Sequence, residues 1–192
     1  MKIDLKNIRV LGYLTLLGFG LLGLAMTYFT REEGLPAFFS GHYPISIQIL
    51  TGLFYGFITG YIAWIIVIQD FMNPVRKKYG KLIKSMNLSL GDIWFLSFCA
   101  GVGEELFFRA GLQPLLGIWI TAILFVAIHG YLNPWSWRIS IYGIILCFFI
   151  AGLGYLTEEV GIVSAIVAHI MIDVILLKKL TATYIEPENS ME

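Results

Sequence analysis

Six ionisable side chains lie inside apolar stretches of this chain. Glu104, Glu105 and Arg109 fall within the run Gly101-Val-Gly-Glu-Glu-Leu-Phe-Phe-Arg109, in the middle of the apolar segment 93–117. His129 follows on a second segment, and His169 and Asp173 on a third. A charge in hydrocarbon is costly, so an ionisable group there marks function by default. Glu105 and Arg109 are four apart, share a helix face and can pair. Glu104 is rotated by about 100° from Glu105 on a helix of 3.6 residues per turn, and points elsewhere. One glutamate can therefore be neutralised while the other stays available. His169 and Asp173 are also four apart, so Asp173 can accept from one ring nitrogen and fix the tautomer of His169.

These groups suit hydrolysis. A carboxylate beside a neutral imidazole can take a proton from water as a general base. Another imidazole can donate to the developing oxyanion, an effect often worth several kcal/mol. Other uses of the same residues stay open. Glu–Arg and His–Asp pairs can simply hold helices together. Glu, His and Asp at mid-membrane depth also serve proton or ion pathways. A zinc site from Glu104, His129 and His169 is chemically open, but it lacks the HExxH spacing that would make it specific. The second acidic pair, Glu158 and Glu159, has no arginine following it and is placed in an outer loop.

The elements that must carry these residues are membrane spans. The chain has 192 residues, 58% hydrophobic and only 14% charged, with a mean hydropathy of +0.79. Soluble domains carry about 25% charged residues, so a soluble fold is excluded. A bilayer crossing needs about 20 apolar residues. Segments 10–29, 45–68, 93–117, 118–132, 139–156 and 161–177 give six spans, with 118–132 short. The first is too long for a signal-peptide core and lacks a small-x-small cleavage site, so it reads as a retained span. The whole chain, 1–192, is expected to form one all-α membrane domain with its catalytic core in 93–177.

Charge sets the expected orientation. Lys2, Lys6, Arg9, Arg76, Lys77, Lys78, Lys81, Lys84, Arg138, Lys178 and Lys179, or 11 of the 13 Lys and Arg, fall on one side of the six-span arrangement. Only Arg31 falls on the other, so both termini are expected in the cytoplasm. The basic segment 71–90 is read as an amphipathic helix on the lipid surface, with an ordinary basic loop as the alternative. His42 lies in the outer loop 34–44 and is expected to be solvated. Cys99 and Cys147 read as small core residues without a redox or metal motif. Nothing suggests nucleic acid as a partner.

Depth is consistent with a shared site. At 1.5 Å per residue, Glu104 and His129 lie about 16 Å from the starts of their spans, His169 about 12 Å and Asp173 about 18 Å. All four fall near the midplane of a core about 30 Å thick.

Three short patterns carry a resemblance. Glu104-Glu-Leu-Phe-Phe-Arg109 is similar to the EExxxR motif of the CPBP family, the CAAX proteases and bacteriocin-processing enzymes also called Abi proteins. Phe125-Val-Ala-Ile-His129 resembles its FxxxH motif, and His169-Ile-Met-Ile-Asp173 its HxxxN/D motif. The three appear in the family's order on separate expected spans, and the resemblance covers about 93–177. It implies an all-helical intramembrane endopeptidase of the glutamate type, with no cofactor and zinc not favoured. By motif match, Glu104 activates water with help from His129. His169 and Asp173 line the oxyanion side, and Glu105 and Arg109 support the site. The family's prenyl protease has asparagine where this chain has Asp173. An ionised aspartate accepts but cannot donate, so Asp173 is expected to orient His169 instead. The expected substrate is a membrane-anchored peptide or protein in a bacterial inner membrane. A non-catalytic scaffold or bacteriocin-immunity partner on the same fold is the alternative.

Overall fold

A computed structural model describes residues 5–30 and 34–183. Lys2, Arg31 and the acidic tail 185–192 lie outside the described residues. Among the described residues every regular element is helical. Helix α1 (Leu5–Leu14) runs through a π-helical stretch, Thr15–Phe19, into α2 (Gly20–Thr30), followed by α3 (Gly34–Ser40) and α4 (Ile45–Val67). A 3₁₀ turn, Asp70–Met72, leads into α5 (Asn73–Ser85). Then come α6 (Leu90–Glu105), a π-helical stretch Leu106–Leu112, α7 (Gln113–Ile128), α8 (Trp137–Glu159) and α9 (Ile162–Thr183).

The polarity of this bundle is the reverse of a soluble protein's. Leu21, Leu50, Phe54, Ile120 and Phe148 are exposed, while Gln48, Ser97, Glu105, Arg109 and Thr121 are buried. Only a hydrocarbon solvent favours that arrangement, because intramembrane polar groups turn toward the bundle interior. Four helical runs are long and apolar enough to cross a membrane: Ile8–Thr30, Ile45–Val67, Leu90–Ile128 and Trp137–Glu159. The protein is a multi-pass membrane protein.

Segments 93–117 and 118–132 were expected as two crossings; the helical run Leu90–Ile128, 39 residues long, breaks between them at Gly117, whose φ of 77° no continuous helix contains. The arm after the bend, 118–128, is about 16 Å long at 1.5 Å per residue, half of a core about 30 Å thick. Helix α9 carries His169, Asp173, Lys178 and Lys179 and falls outside the group of four. The basic segment does form a helix, α5, opened by Pro74 in its first turn where a missing N–H costs nothing. It packs on α9 and turns Tyr79 and Ile83 toward a cavity, so it covers the interior as well as presenting charge.

Close approach of helices sets the site. Helix α4 presents Gly52 and Gly56 to α9, and a side chain at Gly56 would come within 2.5 Å of the Ala168 carbonyl. Small residues at such a contact let backbones touch, the main source of helix association in lipid. On the other side of α9, a side chain at Gly101 of α6 would meet Ile170 Cγ1 at 2.5 Å. Gly101 lies one turn before Glu105, so this contact brings Glu105 against His169. The start of α6 is fixed by a capping box. Ser89 Oγ accepts from the Asp92 N–H at 3.1 Å, and Asp92 Oδ2 accepts from the Ser89 N–H at 3.1 Å. Arg9 Nη2 donates to Asp92 Oδ1 at 2.6 Å and ties α1 to the same point. Cys99 and Cys147 are buried and unbridged, as the sequence suggests. His42 is exposed, and its backbone N–H donates to the Val160 carbonyl at 3.1 Å.

Candidate active site

The motif residues form a closed half and an open half. Glu105 and Arg109 make the closed half, with side chains fully buried. Glu105 ends α6, and the following π-helical stretch places Arg109 over it. Such stretches occur often at functional sites. Arg109 Nε donates to Glu105 Oε2 at 3.0 Å, the pair expected from the spacing. The other oxygen, Oε1, accepts from His169 Nδ1 at 2.7 Å. Arg109 Nη1 also approaches Gln113 Oε1 at 3.4 Å. Gln113 Nε2 donates to Glu158 Oε1 at 2.8 Å and to the Gly154 carbonyl at 3.2 Å. A polar chain thus runs His169–Glu105–Arg109–Gln113–Glu158 across the bundle from α9 to α8.

Two sequence expectations are corrected by this chain. Asp173 was expected to fix the tautomer of His169. Its Oδ2 stands 3.7 Å from Nε2, within ion-pair range but beyond a hydrogen bond. Glu105 is the partner that makes Nδ1 the donor. Glu158 was placed in an outer loop, whereas it lies in the last turn of α8 and accepts from Gln113.

The open half is built by the end of α7. Gly130, at φ 76°, stops the helix. Its N–H donates to the Ala127 carbonyl at 2.9 Å, and the Tyr131 N–H reaches the Val126 carbonyl at 3.2 Å. This is the Schellman pattern that a left-handed glycine permits. It leaves His129 as the last residue of the turn. His129 Nδ1 lies 2.6 Å from the Phe125 carbonyl, which can only accept, so Nδ1 carries a proton. In the neutral ring Nε2 is then a bare lone pair. It faces Glu104 Oε2 at 3.5 Å. The side chains of His129 and Asp173 are 33% and 31% exposed and that of Glu104 11%, against none for Glu105. Glu104 therefore faces the accessible side.

Phe125 is the shared wall. Its ring stacks on His129 at 4.4 Å between centroids, meets His169 edge-on at 5.7 Å, and lies 6.0 Å from the Arg109 guanidinium. The sequence names Phe125 only as a motif letter. Its role as the spacer between both histidines and Arg109 depends on the crossing of α6, α7 and α9. Among the described residues no three His, Cys, Asp or Glu side chains gather as a metal-ligand set.

Residues 86–175 match the family model described as type II CAAX prenyl endopeptidase Rce1-like. This segment is similar to the CAAX-protease family. The resemblance read from the three motifs is thereby borne out, and the matched segment contains every motif residue from Glu104 to Asp173. No curated protein and no solved structure matches the chain. Within the matched segment lie α6, α7, α8 and most of α9, so the three motifs and the helices that carry them coincide. Helices α1 to α5 stand outside it and serve the site by packing. Helix α4 backs α9 through Gly52 and Gly56, and α2 lies on the π-helical stretch that holds Arg109.

Proposed function

We propose that this protein is an intramembrane endopeptidase that cleaves a peptide bond of a membrane-associated substrate with a water activated by Glu104 and His129. The observation that carries this reading is the Glu104–His129 pair, 3.5 Å apart, beside a second glutamate already engaged by Arg109 and His169. Those partners hold Glu105 as a structural anion. Glu104 is left to accept a proton, and the bare Nε2 of His129 offers a second acceptor for the same water. Two acceptors suit a water that must give up a proton as it attacks, and general bases of this kind contribute about 10²–10⁴-fold.

In this mechanism the water oxygen bonds to the carbonyl carbon and its proton passes to Glu104. The carbonyl π pair moves onto oxygen. The pair then returns, the C–N bond breaks, and Glu104 delivers its proton to the departing amine. His169 faces the developing oxyanion with Nε2 protonated, its ring held by Glu105 at Nδ1. Asp173, 3.7 Å from Nε2, stabilises that imidazolium. No metal is assigned a part. The basic side of the chain, with α5, faces the cytoplasm of a bacterial inner membrane, as the Lys and Arg distribution supports.

The test compares the membrane peptidomes of cells carrying wild-type protein or Glu104→Ala. A precursor that accumulates only in the variant identifies the substrate. Identical peptidomes, with the variant folded in the membrane, favour a scaffold or immunity role on the same fold.

A further inference from the structure

Asp173 also lines a cavity of about 190 Å³ bounded by α5, α8, α9 and the turn after α7. An engineered cavity of about 150 Å³ is enough to admit a benzene ring, so this one is large enough for an apolar side chain. Its polar lining is Arg76, Tyr79, Tyr131, Tyr142 and Asp173. Tyr131 is the one of these phenols that also contacts a site histidine. The Schellman turn folds it back over α7, and its carbonyl occupies the space that a side chain at Gly143 would fill. Its ring lies parallel to the His129 imidazole, 7° between planes and 6.3 Å between centroids. It meets Tyr142 edge-on at 5.6 Å.

This placement answers a shortage of donors. The oxygen that becomes negative in the tetrahedral intermediate needs hydrogen bonds aimed at it. Ionised Asp173 can only accept, and the proton that Glu104 takes from water is committed to the departing amine. His129 Nδ1 is used on the Phe125 carbonyl and His169 Nδ1 on Glu105. A protonated His169 Nε2 gives one donor, and the hydroxyl of Tyr131 is free to give a second on the cavity side.

We propose that Tyr131 is a further catalytic residue, donating its phenolic O–H to the carbonyl oxygen of the scissile bond as that oxygen becomes negative. The proposal rests on the protease reading above. Tyr131 keeps its proton throughout, so the transfers through Glu104 are unchanged.

The test is steady-state cleavage of internally quenched peptides with apolar centres, in detergent micelles, by wild type, Tyr131→Phe and Tyr131→Phe/Asp173→Asn. Loss of one oxyanion donor costs about 10²–10³-fold in kcat, so Tyr131→Phe should fall by that much with KM unmoved. Asparagine at 173 carries an amide that donates, so the double variant should recover part of kcat. Should Tyr131→Phe not fold, Tyr131→Gln and Tyr131→Leu replace it, and the donating glutamine should turn over faster than leucine. Wild-type kcat in Tyr131→Phe, or a loss confined to KM, overturns the proposal and leaves the protease reading standing. Wild-type protein that leaves every peptide intact overturns the protease reading, and this proposal with it.

Discussion

Glu105→Gln changes one atom in the most buried part of the site and should be felt across the bundle. Glu105 Oε2 accepts from Arg109 Nε at 3.0 Å and Oε1 from His169 Nδ1 at 2.7 Å. Glutamine has one acceptor oxygen where two are needed. If that oxygen stays on Arg109, the amide N–H₂ faces His169 and donates to Nδ1. The imidazolium must then give up its Nδ1 proton and keep the one on Nε2, beside Asp173. The charge is lost as well. At 3.0 Å and an effective dielectric of about 20, the Coulomb attraction is about 5 kcal/mol. Breaking a buried ion pair by removing one partner typically costs about 3–5 kcal/mol. For a chain of this size, 1 kcal/mol moves Tm by about 2–4 °C, so the drop should be about 6–20 °C. Thermal unfolding in detergent micelles, followed by circular dichroism, reads the stability. Nitrogen-15 chemical shifts of His169 read the tautomer. A Tm unchanged from wild type would refute the claim that Glu105 is the anion balancing Arg109. An unmoved His169 spectrum would refute its control of the tautomer.

Other outcomes follow from the same contacts. Gln113→Ala removes the hydrogen bonds that link Arg109 to Glu158 and to the Gly154 carbonyl, which should lower unfolding free energy by about 1–3 kcal/mol in a denaturant titration. Gly101→Val drives a side chain into Ile170 and separates α6 from α9. Cleavage should fall together with Tm, whereas Gly91→Ala, whose added carbon meets only Ser89 Oγ at 3.7 Å, should leave both unchanged. If water is activated by Glu104 and His129 without a metal, cleavage should survive EDTA and phenanthroline. Loss that zinc restores would show otherwise.

Much of the site was legible in the sequence because helix geometry is local. Glu105 and Arg109 meet as the four-residue spacing requires, and Glu104 points away from them toward another helix. The matching depths of Glu104 and His129 anticipated their approach. What the sequence did not show depends on contacts between helices. His169 and Asp173 share a face, yet the glutamate that Gly101 brings across from α6 reaches Nδ1 and takes the closer place. Glu158 lies beyond the apolar run of α8, so composition assigned it to a loop. The helix continues through it because its carboxylate finds Gln113. The break between the third and fourth expected segments falls at Gly117, whose positive φ no continuous helix contains. Tyr131 carried no signal, being an aromatic in an apolar segment until the Gly130 turn and the gap at Gly143 set its ring beside His129.

The central claim is that a water activated by Glu104 hydrolyses a peptide bond. Its most direct test uses purified protein in proteoliposomes, the precursor that accumulates in Glu104→Ala cells, and water enriched in oxygen-18. Wild type should place the heavy oxygen in the new C-terminal carboxylate. Glu104→Gln, folded and with Glu105 intact, should lose about 10²–10⁴-fold in rate, the range of a positioned general base. Folded Glu104→Gln protein that cleaves at the wild-type rate would contradict it.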